Sequence, residues 1–339
     1  MPSKPRITAL ADLAPGQEGE FFAILAAKEE LKTRDGKPYF RVTFRDARRQ
    51  VSFPIWIDSR WGPECRSHWQ AGRCYRLRAL YRESNFGPEL DIRQIREFSA
   101  EQDKDFVPEW VYGGSTRPAD ELFAELLALV NAEISDSGLQ RLVLALLEGH
   151  RDKWLWTPAS SKHHFPRPGG LLEHTLRVAQ NAAAFARLYA QRYPPAEVPW
   201  YPDLVVAGAI LHDIGKLLEY ENACQAIETP AGGLLGHLVL GRDLLREEVA
   251  RHPIEPEKLL RLEHILVSHH GQAEFGAVRP PMTLEAILVQ FANEVDVRME
   301  LAWQILAEKS PGTPWTSDRN VLKQRFYRGI PPAEETGSQ

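Results

Sequence analysis

The period of the hydrophobic positions changes once along the chain, near residue 119. Ahead of that point the pattern is that of strands. Residues Glu20–Ala27 form one apolar run, followed by the turn-forming stretch Thr33-Arg34-Asp35-Gly36-Lys37-Pro38. From Tyr39 to Arg45 the chain alternates: Phe40, Val42 and Phe44 share one face, and Tyr39, Arg41, Thr43 and Arg45 the other. This period of two marks a strand buried on one side. After Asp46–Gln50, Val51, Phe53, Ile55 and Ile57 face one way, and Ser52, Pro54 and Trp56 the other. A short helix is expected over Trp61–Gln70, and strands over Cys74–Arg82 and Glu89–Phe98. Beyond 119, apolar residues recur every three or four positions, as in amphipathic helices. Helices are expected at Ala119–Ala132, Leu139–Leu147, Leu171–Arg192, Asp203–Asp213, Leu234–Arg251, Pro256–His269 and Leu284–Leu306.

Five strands with a short helix between the third and fourth follow the order of an OB-fold barrel. The expected fold is therefore multidomain, α and β. It comprises an OB-fold barrel over 1–99, a linker with Pro and Gly breaks over 100–118, an all-α bundle over 119–330 and a disordered tail over 331–339. OB barrels hold single strands with a basic groove and aromatic platforms. Strand parity puts Tyr39, Arg41 and Trp56 opposite the core, and Phe86 sits in the loop before the last strand. These four are the candidate nucleic-acid contacts. Single aromatics more commonly just pack, and OB barrels also take sugars and proteins, so the barrel alone does not fix a ligand.

Charge adds to this picture. The net charge of −5 conceals an asymmetry: residues 1–99 hold 18 Lys and Arg against 13 Asp and Glu, and the remainder is acidic. A basic barrel joined to an acidic bundle points to a polyanion partner for the barrel, although a solvated basic face gives the same count. The longest apolar runs, such as Leu204–Leu211, are too short to cross a bilayer, and the N-terminus shows no export signal. Cys65, Cys74 and Cys224 form no CxxC and no pairable framework, which fits a reducing cytoplasmic setting and disfavours a zinc–thiolate site.

Histidine placement carries the chemistry. Nine of the eleven, all but His68 and His252, are candidates: His150, His163, His164, His174, His212, His237, His264, His269 and His270. The run Val205–Leu211 is apolar or small on every side, so its helix is expected to be buried all round. It delivers His212-Asp213 into the interior. An ionised Asp there is costly unless paired or bound to a metal. Imidazole with carboxylate suits a first-row divalent ion such as Mn, Fe or Zn. Lys216, one turn on, is a cation able to hold a substrate phosphate. His174 shares a stripe with Leu171, Val178 and Asn181; by itself it reads more readily as a core residue than as a ligand, and so does His237. Several helix-borne imidazoles beside an embedded His-Asp exceed what packing explains, because each needs its own polar partner.

The stretches Gly169-Gly170-Leu171-Leu172-Glu173-His174-Thr175, Leu211-His212-Asp213-Ile214-Gly215-Lys216, Gly236-His237 and Ser268-His269-His270-Gly271, in that order, resemble the HD phosphohydrolase superfamily. The chain is similar in particular to YhaM-type 3′-to-5′ exoribonucleases, which place an OB-fold ahead of the HD domain. That likeness extends to Glu274-Phe275-Gly276, Pro280-Pro281 and Glu285-Ala286. It implies a metal-dependent exonuclease releasing nucleoside monophosphates from the 3′ end of single-stranded RNA or DNA. The implied cofactor is one or two divalent ions, usually Mn²⁺, with Fe, Co, Mg and Zn as other options. The implied ligands are His174, His212, Asp213, His237 and one or both of His269 and His270, with Asp213 bridging if two ions bind. Lys216 would contact the scissile phosphate, and His164 matches a family histidine near the substrate. One departure stands out: where HD domains usually close the site with an Asp, this chain has Asn293, with Asp296 one turn further on. Three functions remain open: the exonuclease, an HD-type nucleotide phosphohydrolase, and a non-catalytic single-strand-binding protein with a degenerate HD site. A homo-oligomer is left open as well.

Overall fold

The computed structural model describes residues 7–33, 35–84, 87–99, 101–113, 117–161, 164–222, 225–307 and 313–329. The chain forms two compact units whose boundary falls between Pro118 and Ala119.

The first unit contains β1 (Glu18–Lys32), β2 (Pro38–Arg45), β3 (Gln50–Trp56), α1 (Gly62–Ser67), β4 (Cys74–Ser84) and β5 (Gly87–Glu97). The strands pair antiparallel in the order β3-β2-β1-β4-β5. Strand β1 outruns its apolar stretch. Its first half pairs with β4, from Glu18↔Leu80 to Ile24↔Cys74, and its second with β2, from Ile24↔Arg45 to Lys32↔Pro38. A register shift between Leu25 and Ala27 lets one strand serve both neighbours. Lys28, Glu29 and Glu30 continue the strand through backbone pairing, which hydrophobicity does not report. The alternation holds: Phe40, Val42, Phe44, Val51, Phe53 and Ile55 are buried, and Arg41, Ser52, Pro54 and Trp56 are exposed. Five antiparallel strands with a helix between β3 and β4 make this an OB-fold.

The expected linker is not an open tether over its described part. Helix α2 (Pro108–Tyr112) lies within it, and Phe106, Val111 and Tyr112 pack with Phe22, Ile24, Cys74 and Phe98. Asp103 is buried beneath them, 2.8 Å from Arg76 Nη1, hydrogen-bonded by Arg96, and accepting from the Ser99 amide at 2.9 Å. The apolar residues of 98–112 are too sparse to show a period, so sequence alone gave this second small core no signal. The expected tail at 331–339 lies outside the described residues.

The second unit holds α3 (Ala119–Glu133), α4 (Ser137–Gly149), α5 (Arg151–Trp154), α6 (Gly170–Arg192), α7 (Pro202–Leu211) and α8 (Lys216–Glu219). The short strands β6 (Tyr220–Asn222) and β7 (Gln225–Glu228) follow, then α9 (Pro230–Val249), α10 (Pro256–Ser268) and α11 (Leu284–Ala307). Helix α7 is the centre of the bundle. Every residue from Leu204 to Leu211 is buried, and α4, α6, α10 and α11 pack against it. An apolar helix without a polar face has no surface position to occupy, and this places its C-terminal His212-Asp213 in the interior. Among the described residues, no helix is long and apolar enough to cross a membrane.

Candidate metal centre

Five elements of the helical unit converge on Asp213. Helix α6 brings His174, the end of α7 brings His212, and Asp213 lies in the turn before α8. His237 comes from α9, and His269 and His270 from the end of α10. The backbone explains how α9 reaches the turn. A Cβ at Gly215 would lie 1.9 Å from the His237 carbonyl oxygen and 2.5 Å from the Gly241 nitrogen, so only glycine permits this approach. Within α9, Gly236 adopts φ 71°, a left-handed conformation suited to glycine, and breaks the helix in two. His237 thus begins a new helical segment. Its amide donates to Glu219 Oε1 at 3.2 Å, so a carboxylate satisfies a donor left free at a helix start.

The donors form two groups that share Asp213. His174, His212 and Asp213 have ligand atoms mutually within 4.8 Å, and so do Asp213, His237, His269 and His270. Asp213 Oδ2 lies 3.3 Å from His212 Nε2 and 3.7 Å from His174 Nε2. Asp213 Oδ1 lies 3.3 Å from His237 Nε2 and 3.5 Å from His269 Nε2. One carboxylate therefore turns an oxygen to each group.

The far nitrogen of each imidazole fixes its tautomer. Nδ1 of His212, His269 and His270 meets the carbonyl oxygens of Ala209 (2.7 Å), Leu266 (2.9 Å) and Phe275 (2.8 Å). A carbonyl only accepts, so each Nδ1 donates and each Nε2 keeps its lone pair. His174 Nδ1 meets Asp296 Oδ2 at 2.8 Å, and His237 Nδ1 meets Glu219 Oε1 at 3.3 Å, with the same consequence. Metal-binding histidines are held in this way. The Nε2 atoms of His174 and His212 then face each other at 3.3 Å, as do those of His237 and His270. Opposed lone pairs repel unless a cation or proton sits between them. Burial disfavours the proton: it pushes His174 and His269 well below the usual imidazole range and His270 down to about 4. Asp213 Oδ1 and His269 Nε2 are buried without a hydrogen-bond partner among the described residues. These residues fit a divalent cation, with neutral nitrogen donors around one charged oxygen donor. Burial opposes the charge on Asp213, but the Lys216 ammonium, 2.6 Å from Oδ2, helps hold the carboxyl well below its usual range.

His164 stands beside this cluster, its ring centroid 5.2 Å from that of His174. Lys216 is buried against Asp213 rather than extended toward solvent. Asp296 has one oxygen engaged by His174 Nδ1, and burial pushes its carboxyl up to about 6. The Asn293 Oδ1 atom is buried and without a hydrogen-bond partner among the described residues. Two expected candidates fall away. His150 ends α4 and belongs to neither group, and His264 Nε2 accepts from the Met282 amide at 2.8 Å. His163 lies outside the described residues. Glu219 escaped the sequence reading, although a carboxylate directly after Leu217-Leu218 on a buried turn was a usable signal.

In the barrel, Tyr39 and Trp56 are cross-strand partners with ring centroids 5.4 Å apart. Trp56 is 41% exposed, and Arg41 is exposed on the same face of β2 as Tyr39. Phe86 lies outside the described residues.

Residues 171–298 match the family described as HD domain. Residues 115–223 match a family described as "Putative helicase". The two overlap on the segment that contains His174, His212 and Asp213. Among solved structures, the barrel region is similar to two domains of replication protein A from Methanococcus maripaludis. A crystal structure of one is 11% identical, covering 27% of this chain and 94% of that one, with a TM-score of 0.22. A solution structure of the second OB-fold domain is 15% identical, covering 30% and 100%, also with a TM-score of 0.22. At those scores neither match carries weight, and the OB assignment stands on strand order. HD domains as a family are metal-dependent hydrolases, and the donor set here fits that chemistry. The helical unit therefore contains an HD domain, and the chain joins it to an N-terminal OB-fold barrel.

Proposed function

We propose that the protein is a metal-dependent phosphodiesterase that shortens single-stranded RNA from its 3′ end and releases nucleoside monophosphates. The observation that carries the hydrolase reading is Asp213, with its two oxygens turned to two groups of Nε2 lone pairs. A polymer substrate is supported by the exposed Tyr39–Trp56 pair beside Arg41, whose faces suit base stacking next to a backbone phosphate contact. The 3′ polarity rests on the resemblance of motif order to YhaM-type enzymes.

His174, His212 and Asp213 would hold one ion, and Asp213, His237, His269 and His270 a second. Asn293 Oδ1 is a further candidate donor. Such an ion lowers the pKa of water and stabilises charge on the phosphoryl oxygens. The chain's own residues do the rest. Asp296, Glu219 and the three carbonyls keep every Nε2 deprotonated and aimed inward. Lys216 offsets the Asp213 charge and is the candidate phosphate contact once a substrate arrives. His164, at the side of His174, is the candidate proton donor to the leaving oxygen.

The test uses 5′-labelled RNA and DNA oligomers with metal-stripped protein, with and without added Mn²⁺. The expected result is Mn²⁺-dependent shortening from the 3′ end with monophosphate release. Degradation by His212→Ala and Asp213→Ala at the wild-type rate would overturn the reading. A hydrolase of free nucleotides would keep its turnover in a Tyr39→Ala/Trp56→Ala variant, whereas an exonuclease would lose grip on long substrates.

A further inference from the structure

Helix α11 carries an apolar stripe on its outer face. Leu284, Ile287, Phe291, Val295, Met299 and Trp303 are all exposed, and Trp303 is 72% exposed. The last five follow one another at intervals of four residues, the row that forms a packing ridge on a helix. At its N-terminal end the stripe borders a groove of about 380 Å³ walled by Phe185, Tyr189, Tyr193 and Trp200 together with Ile287 and Phe291. With exposed Leu188 and Tyr193 beside it, the uncovered apolar area is on the order of 700 Å² at ordinary side-chain sizes. Isolated monomers seldom show such a patch, and a standard interface buries about 800 Å² from each partner.

We infer that this stripe is the interface of a homodimer in which two α11 helices pack antiparallel about a two-fold axis near Val295. Three features select a second copy over another occupant. The ridge is self-complementary in size when reversed: Ile287 meets Trp303 of the other copy, Phe291 meets Met299, and Val295 meets itself. The knob and its hole sit at opposite ends of the same ridge. The indole of Trp303 reaches the groove beside Ile287 of the other copy, and the two-fold makes this contact twice. The charges agree as well. Glu294 and Arg298 lie on one flank of the stripe, 2.8 Å apart. A perpendicular two-fold brings like flanks together in reversed order, so Glu294 of each copy faces Arg298 of the other. A parallel pair would set this flank against the opposite one. The inference is independent of the metal centre and of the reaction proposed above.

Sedimentation velocity on the full chain across micromolar concentrations tests it. Wild type is expected to sediment as a dimer. Trp303→Glu is expected to weaken the dimer at least about thirtyfold, as for an interface hot spot. Circular dichroism confirms the fold of each variant. Arg298→Glu is expected to weaken association, and Glu294→Arg/Arg298→Glu to restore it, because the swap rebuilds both cross-pairs. A monomeric wild type overturns the inference and leaves the stripe to a different partner. A dimer that Trp303→Glu leaves intact overturns it equally.

Discussion

His174 shows what a single residue contributes to the centre. Its ring is buried, its Nδ1 donates to Asp296, and its Nε2 points at His212 and Asp213. Asp296 is thus a positioning residue for a candidate ligand. Asp296→Ala frees the ring to turn and is expected to lower Mn²⁺ affinity about 10–100-fold by calorimetric titration. Asp296→Asn keeps a carbonyl oxygen as acceptor and is expected to recover most of that loss. Equal affinity in wild type and Asp296→Ala would remove Asp296 from the account. Asp103 plays a structural part in the barrel. Burial opposes its charge, but Arg96, the Ser99 amide and Arg76 prevail and hold the carboxyl below its usual 3.8. A carboxyl depressed on folding stabilises the fold above its unfolded pKa, and the contribution disappears as pH falls through the lower folded value. Asp103→Ala is expected to cost about 2 kcal/mol near neutral pH, less than a fully enclosed pair because Arg96 remains partly open to water. In urea unfolding, the gap between wild type and variant should narrow below pH 4, with most of the closing under the unfolded value of 3.8.

At the scale of elements, the turn between α7 and α8 and the broken start of α9 form one device. Gly215 admits the His237 backbone, and Gly236 redirects the chain so that His237 faces Asp213. Gly215→Ala would force these backbones apart. We expect a loss of about 3 kcal/mol, at the upper end for overpacking, together with weakened metal binding. Thermal melts and Mn²⁺ titration of the same sample would check both, and an unaltered melting curve would contradict the packing argument. These elements also show what sequence can reveal. Alternation in β2 and β3 and the helical period of α3 to α11 were legible because one face of each is buried against a core. Helix α7 was legible for the opposite reason, since it lacks a polar face. The polar half of β1 and the packing of 101–113 were not legible, because backbone pairing and one buried carboxylate leave no hydrophobic period. His174 and His237 were ambiguous singly. Convergence on Asp213 is a tertiary fact, and only their number hinted at it. The roles of Glu219 and Asp296 depend on distances across the bundle that no local pattern encodes.

For the whole molecule, the division of labour is between a basic barrel and a helical unit that holds the candidate centre. If the barrel grips single strands through stacking, Tyr39→Ala and Trp56→Ala should each weaken oligonucleotide binding by about 1–3 kcal/mol. Arg41→Ala should instead lower the salt dependence of binding by roughly one phosphate contact. Fluorescence anisotropy over a salt series separates the two effects, and unchanged affinity in all three variants would take this face out of substrate binding. The most direct test of the central claim is calorimetric titration of Mn²⁺ into the metal-stripped chain, wild type beside Asp213→Asn. Asparagine keeps the shape of the side chain but removes the charge that both imidazole groups share. We predict clear binding to the wild type and at least about a hundredfold weaker binding to the variant, consistent with loss of the one charged oxygen donor. Undiminished binding to a folded Asp213→Asn protein would contradict the account.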